Sequence, residues 1–297
     1  MSTITILGAT GKVGSQTVAN LLGKNHRLRL IARHAAKLHG FDNNEGIEIY
    51  PGNSLDSGFL TQTIKGSDAV MLMMPGDFQS ADINAYQDKM GLAQMEAIGK
   101  SGVKKVLFLS SIGGHTEENT GIVAGLARQE KRLKQFQDVD VLILRPGYFM
   151  ENFLNNIGLI KSTGINGSPI SPDRKFPMIA TRDVARVASE KLDKLGWNGK
   201  SVLPLLGPKD YDMTEVNTVL AGAIGKPGLP YIQFPYQQAK HGMMQVGFSE
   251  SIADSYIEMI EAINSGVFNL EKRDAGSTTS TTIEEFSKTF ANVYNVT

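Results

Sequence analysis

The sequence predicts an α/β protein, a doubly wound parallel sheet with a smaller C-terminal α+β domain. Three observations predict it. Short apolar strands alternate with helical patterns through the first half, a glycine-rich turn follows the first strand, and the second half changes to capped helices between turn-rich loops. Near-continuous apolar strands separated by helices fit a parallel sheet covered on both faces, where neither side of a strand meets water.

The β-branched run "TITIL" (3–7) opens the chain, and Val18, Leu21 and Leu22 mark the first helix. The strands that follow are "HRLRLIAR" (26–33), "GIEIYPG" (46–52), "AVMLMMP" (69–75), "KKVLFLSS" (104–111) and "DVLILRPG" (140–147). Ile83, Tyr86, Met90, Ala93 and Ala97 recur at steps of three and four, which puts them on one helical face. Ile122, Leu126, Leu133 and Phe136 predict another helix over 122–137. After Pro146 the segment 162–177 is turn-rich, and helices are predicted near 182–195, 212–224, 249–264 and 282–294. Asp183 is read as the cap of the first of these. Asp212…Glu215 and Thr282…Glu285 have capping-box spacing. "AGSTTSTT" (275–282) reads as a solvated loop before the last helix.

Composition removes several classes of function. The 297 residues carry 30 Lys+Arg against 30 Asp+Glu. That balance argues against a nucleic-acid binder, which needs a basic face to displace counterions. No cysteine is present, which excludes disulfides, thiolate nucleophiles and cysteine-ligated metals. The histidines at 26, 34, 39, 115 and 241 show no ligand spacing beyond His34/His39 on a charged stretch, so no metal site is expected. No GxSxG elbow occurs. Without a leader pattern or a membrane-length apolar run, the expectation is a soluble, cytoplasmic protein with no membrane partner.

In "GATGKVG", Gly8, Gly11 and Gly14 lie between a predicted strand and a predicted helix, the context a dinucleotide fingerprint requires. Gly8 permits the tight turn, Gly11 lets backbone approach a pyrophosphate, and Gly14 lets helix and strand pack closely. Free N–H groups and the positive helix end attract phosphate. Gly8, Thr10, Gly11, Lys12, Val13 and Gly14 are therefore the expected cradle. Residues 1–152 are assigned to this Rossmann-type domain, with 179–207 returning to it, and 153–297 to a smaller substrate or lid domain.

The glycine spacing, with "ILRPGYFMEN" (143–152) and "IATRDVARVA" (179–188), resembles the short-chain dehydrogenase/reductase superfamily, specifically its atypical NmrA-like branch. The likeness runs over nearly the whole chain. It implies an NAD(P)-binding Rossmann fold. An NAD-type site would place a carboxylate about twenty positions past the glycines. This chain has Ile31-Ala32-Arg33-His34 there. Arg33 offers a planar fork for a 2′-phosphate, with Lys37 in support, so NADP(H) is favoured over NAD(H). Asn53 stands where relatives often have Asp beside the adenine, and Met74, Pro75 and Gly76 line the dinucleotide crevice or end a buried strand.

The superfamily's usual catalyst, Tyr-x-x-x-Lys, is missing. Anchored on Glu130, the pattern falls on Ile122 and Leu126, neither of which exchanges a proton. A literal Tyr236-Gln-Gln-Ala-Lys240 lies in the second domain and is rejected. Ser110 and Ser111 end the fifth strand at the ligand-binding edge, although Ile112 aligns with the usual catalytic serine. The catalytic residue is left unassigned, with two candidates. His115 is either a proton donor or an exposed loop residue. Tyr148, near Phe149 and Asn152, either meets cofactor and substrate or packs against the second domain. Met243, Met244 and Phe248 line an apolar pocket or belong to the core.

Two functions follow. The first is an NADPH-dependent reductase passing hydride to a quinone-like or other conjugated small molecule, which needs no tyrosine acid. The second is a non-catalytic NADP(H) redox sensor acting on a protein partner, as in some NmrA-like regulators. Sugar epimerase chemistry needs an acid/base on a hydroxyl, and Ile122/Leu126 count against it. A homo-oligomer is left open.

Overall fold

The computed structural model describes residues 1–41 and 44–297; the side chains of Ala35 and His39 lie outside it, and with them the reading of His39. The first part of the chain runs β1 (Ser2–Leu7), α1 (Lys12–Leu21), β2 (His26–Ala32), β3 (Ile47–Pro51), α2 (Ser57–Ile64), β4 (Ala69–Leu72), α3 (Ile83–Ser101), β5 (Lys105–Leu109), α4 (Ala124–Leu133) and β6 (Asp140–Pro146). Then come β7 (Tyr148–Phe149), α5 (Ile157–Thr163), β8 (Asn166–Ser168), β9 (Phe176–Ile179), α6 (Thr181–Lys194) and β10 (Lys200–Leu205). The last elements are β11 (Asp210–Tyr211), α7 (Met213–Ala223), β12 (Tyr231–Gln233), α8 (Tyr236–Gln245), α9 (Glu250–Ser265) and α10 (Ile283–Val296).

Seven parallel strands form the main sheet in the order β10-β6-β5-β4-β1-β2-β3. The chain winds outward from β1 to β3, then returns to the other side of β1 with β4. That reversal opens a crevice at the carboxyl ends of β1 and β4, where ligands bind in open α/β sheets. Side chains alternate between the two faces. Ile4, Ile6, Leu107 and Leu142 face one way, against Val18 and Leu21 of α1 and Val184 and Leu192 of α6. Val106, Phe108, Val141 and Ile143 face the other, against Leu60 of α2, Ala93 and Ala97 of α3 and Leu133 of α4. Each large side chain so buried contributes roughly 1.5–3 kcal/mol. Both faces are covered, as the apolar runs predicted.

A separate core holds the later helices. Tyr211, Phe153, Phe176, Phe268, Phe286 and Phe290 are its largest members, packed with Met213, Leu220 and Ile263. Two small sheets, β11-β9-β7 and β12-β8, complete this α+β unit.

Tertiary contacts moved several expected boundaries. β4 ends at Leu72, not 75, and the Met73 side chain lies under Gly8. The helix expected over 122–137 is a 3₁₀ turn, Gly121–Val123, followed by α4 ending at Leu133. Gly121 has φ +55°, and a Cβ there would run into the Ser255 carbonyl of α9. Asp183 does not cap α6, which begins two residues earlier; its carboxylate accepts from the Thr281 amide at 3.0 Å. The Ser/Thr patch is a loop solvated only at alternate positions: Thr278 and Ser280 are exposed. Ser277, Thr279 and Thr281 are buried, and the Ser277 carbonyl accepts from Leu206 N–H at 2.8 Å. The Ser277 and Thr278 hydroxyls donate to the backbone carbonyls of Lys272 and Asp274, and the Thr281 hydroxyl accepts from Arg182. Thr282 and Glu285 form a full capping box, whereas Asp212 caps α7 from one side only.

Candidate functional site

The glycine loop leaves the carboxyl end of β1 and turns straight into α1. Gly8 has φ +73°, a conformation that costs any L side chain, and a Cβ there would collide with Met73. At Gly14 a Cβ would collide with the Gly8 carbonyl. Gly11 differs, because its Cβ would meet only the Gly8 carbonyl, at 3.3 Å. Two glycines are thus demanded by the fold, whereas at the third, in an exposed turn, a Cβ would be tight against one carbonyl without colliding. Gly11 N–H closes the turn onto the Gly8 carbonyl at 2.9 Å. α1 has no side-chain cap and no acidic residue in its first turn. Its first amides therefore face the crevice with the positive end of the helix dipole, a ready anion site.

Around this loop the sequence-predicted residues take the following places. Thr10 and Lys12 are exposed, and Val13 is buried. Arg33, exposed at the end of β2, reaches over the crevice toward the Gly76 carbonyl at 3.5 Å. Lys37 is exposed on the short 3₁₀ turn Ala35–Phe41 that follows. Asn53, just past β3, is exposed and turns its side-chain oxygen onto Leu55 N–H at 3.0 Å. Met74 and Pro75 are half-buried after β4, with Gly76 exposed and the Tyr86 hydroxyl donating to the Pro75 carbonyl at 3.3 Å.

Glu151, not singled out in the sequence, joins all three motifs. Its carboxylate accepts from the Thr181 amide at 3.0 Å and the Thr181 hydroxyl at 2.7 Å, capping α6 in place of Asp183. Its carbonyl accepts from Lys12 Nζ at 3.2 Å. Its position inside "ILRPGYFMEN" was the available signal.

At the carboxyl ends of β5 and β6 the polar groups are committed to structure. Glu130, 1% exposed, forms a fork-to-fork pair with Arg145 at 2.9 and 2.6 Å and accepts from the Ser110 hydroxyl at 2.6 Å. Arg145 also donates to Glu271 at 2.8 Å. Burial alone would lower the Arg145 pKa, but the hydrogen bonds to Glu130 and Glu271 outweigh it and hold the guanidinium charged. Ser111 is half-buried beside this network, and His115 is exposed in the turn beyond it. Ile122 packs on the second core and Leu126 on the sheet. Tyr148 packs its ring between Phe153 and Phe176, at 5.7 and 5.6 Å. Burial pushes its phenol up, nearby Tyr231 adds to this, and a hydrogen bond with Asn152 only partly offsets both. Tyr236 accepts from the Asn264 amide and Lys240 pairs with Glu250 and Asp254, so both are committed within the second unit. Met243 is half-buried, Met244 is 40% exposed, and Phe248 stacks on Phe78. Among the described residues no cluster of three or more acidic or histidine side chains is arranged for a metal, and no helix is long and apolar enough to cross a membrane.

A family profile described as NAD(P)H-binding matches residues 8–194. The chain belongs to this family. The matched span begins at Gly8 and reaches the end of α6, so the NAD(P)H-binding profile covers the crevice, Arg33 and Glu151. A curated relative, the NAD(P)H azoreductase of Xenophilus azovorans, is 27% identical over 256 residues, covering 86% of this chain and 85% of its own. An NADPH-dependent quinone oxidoreductase from Escherichia coli, solved with NADPH, superposes with a TM-score of 0.78 at 21% identity, over 96% of this chain and 99% of the other. The Citrobacter triphenylmethane reductase solved with NADP(H) gives 0.80 at 18% identity, over 97% and 99%. These structural likenesses establish the fold, and with the family match they bear out the resemblance read from the three motifs.

Proposed function

We propose that this protein is an NADPH-dependent reductase acting on quinone-like or other conjugated small molecules. The observation that carries the reading is the open cradle. Gly11 is exposed in the turn, the first amides of α1 have no side-chain cap, and Arg33 stands at the next strand end where an NAD site would carry an acid. The residues fit the dinucleotide. The Gly8–Gly14 turn would hold the pyrophosphate, Arg33 with Lys37 the 2′-phosphate, Asn53 the adenine side, and Met74, Pro75 and Gly76 the crevice wall. Ser110, Ser111 and Tyr148 border the nicotinamide end, and Lys12 and Glu151 tie the loop to the floor. Bound NADPH supplies the hydride. The chain's own work is to orient an acceptor and exclude water, which the second unit, 153–297, does from above the domain formed by 1–152 and 179–207.

Azoreductase, quinone reductase and triphenylmethane reductase relatives all carry names of conjugated acceptors, and an acceptor of that class needs no alkoxide chemistry. Calorimetry with NADPH and NADH, followed by NADPH oxidation with a panel of quinones, tests the reading. Tight NADPH binding with turnover of at least one quinone supports it. Binding with no turnover of any acceptor favours the redox-sensing regulator, and no binding of either coenzyme refutes both.

A further inference from the structure

Ile122, in the 3₁₀ turn before α4, and Leu126 in α4 offer no proton at the positions where the superfamily resemblance implies a tyrosine and a lysine, yet phenols lie over the same half of the sheet edge. Tyr231 is bonded to Ser168 at 2.7 Å and to the Ile170 carbonyl at 2.8 Å. Tyr236 is held by Asn264, and Tyr148 lies beside Asn152. Tyr256, half-buried on α9, has a hydroxyl with no hydrogen-bond partner among the described residues; burial is the sole influence on its phenol, and raises it.

Contacts from three strand ends locate this side chain. After β4, Phe78 stacks on Phe248 with ring centroids 4.8 Å apart, and Phe248 lies 5.8 Å from the Tyr256 ring. The Ser249 amide donates to the Phe78 carbonyl at 2.9 Å, fixing this corner. After β5, the Ser255 carbonyl presses on Gly121. After β6, Tyr148 is near enough for the Tyr256 phenol to oppose its ionisation. Tyr256 therefore lies between the chain leaving β4, where Phe78 follows Gly76 by two residues, and Tyr148 after β6.

We propose that the Tyr256 hydroxyl donates a hydrogen bond to the carbonyl oxygen of a quinone-type acceptor, a role no residue of α4 fills. The assignment rests on the reductase reading. A quinone that accepts a hydride gains two electrons and one hydrogen, and the negative charge collects on oxygen. That oxygen then takes a proton from water to give the hydroquinone, while the reductant leaves as NADP⁺. A neutral phenol aimed at the oxygen stabilises the charge as it forms and is not itself consumed. Its raised pKa keeps it a donor throughout the neutral range.

The test compares the parent with Tyr256→Phe, which keeps the ring against Phe248 and removes one oxygen. Hydroxynaphthoquinone, an anion at neutral pH, carries the developing charge permanently, and its binding in the presence of NADP⁺ is read by calorimetry. We expect the variant to bind this anion about tenfold more weakly, and neutral naphthoquinone as the parent does. Its kcat for naphthoquinone should fall about a hundredfold with NADPH affinity unchanged. Equal anion binding by parent and variant, equal loss of both ligands, or loss of NADPH affinity would overturn the assignment alone. A parent that binds NADPH but neither binds the anion nor reduces any quinone would overturn the reductase reading, and the assignment with it.

Discussion

The two halves of the sheet's carboxyl edge solve opposite problems. Over β1 and β2, the glycine loop and Arg33 keep donors exposed and short of acceptors. Over β5 and β6, Ser110, Glu130, Arg145 and Glu271 satisfy one another in a buried network, and α9 presses down on Gly121. The first half leaves open the donors that the proposed dinucleotide would use. The second is built to hold the other unit in place. Unsatisfied donors are tolerable only where water or a ligand can reach them; buried charges survive only in pairs.

The largest expected effect lies in the closed half. Glu130→Gln leaves a buried guanidinium facing a neutral amide, and should lower unfolding stability by about 3–5 kcal/mol, read from urea denaturation. Glu271→Gln, at the more exposed end of the network, should cost about 1 kcal/mol. Equal losses would mean that the network is not centred on Glu130.

Next come the glycines. Gly8→Ala and Gly14→Ala should each cost about 1–3 kcal/mol of stability, through a left-handed backbone and through overpacking respectively. Gly11→Ala should leave the melting temperature close to that of the parent and weaken NADPH binding by calorimetry. If all three alanines destabilise alike, the division between fold glycines and ligand glycine is wrong.

In the same open half, Arg33→Ala should narrow the preference for NADPH over NADH by about one to two decades, from the loss of a charge-assisted bond of roughly 1.5–3 kcal/mol. A ratio of dissociation constants unchanged from the parent would remove Arg33 from the 2′-phosphate site.

The smallest effect concerns the α3–α4 face. Burial pushes the Asp88 carboxyl up, but hydrogen bonds from Arg132 and Arg128 outweigh it and leave the group below its ordinary value. Its contribution should be present above the unfolded pKa of about 3.9 and vanish as pH falls through the lower folded value. Asp88→Asn should cost no more than about 1 kcal/mol at neutral pH, since water reaches the carboxylate, whose side chain is 39% exposed. The gap between the two urea midpoints should close below that range.

How legible the site was follows the same division. Gly8, Gly11, Gly14 and Arg33 could be read because each acts through a local rule: a turn, a helix start, a strand end. Glu130 served in the sequence only to align a missing motif, and its partner Arg145 lies 15 residues away. Asp183 had the right residue type for a cap, but the backbone entered α6 two residues earlier and Glu151 took the role. The hydroxyl-rich 277–281 segment looked solvated because composition reports polarity and not which carbonyls a chain will meet.

By itself the sequence determined the parallel sheet, the alternation of its first six strands with helices, and the glycine turn into α1, because apolar periodicity and glycine sterics act over a few neighbouring residues. Only the tertiary structure decided where α9 crosses the edge, why Gly121 must be glycine, and which side chains Tyr256 packs against. Those outcomes depend on surfaces brought together from distant parts of the chain, where burial selects pairings that no local pattern encodes.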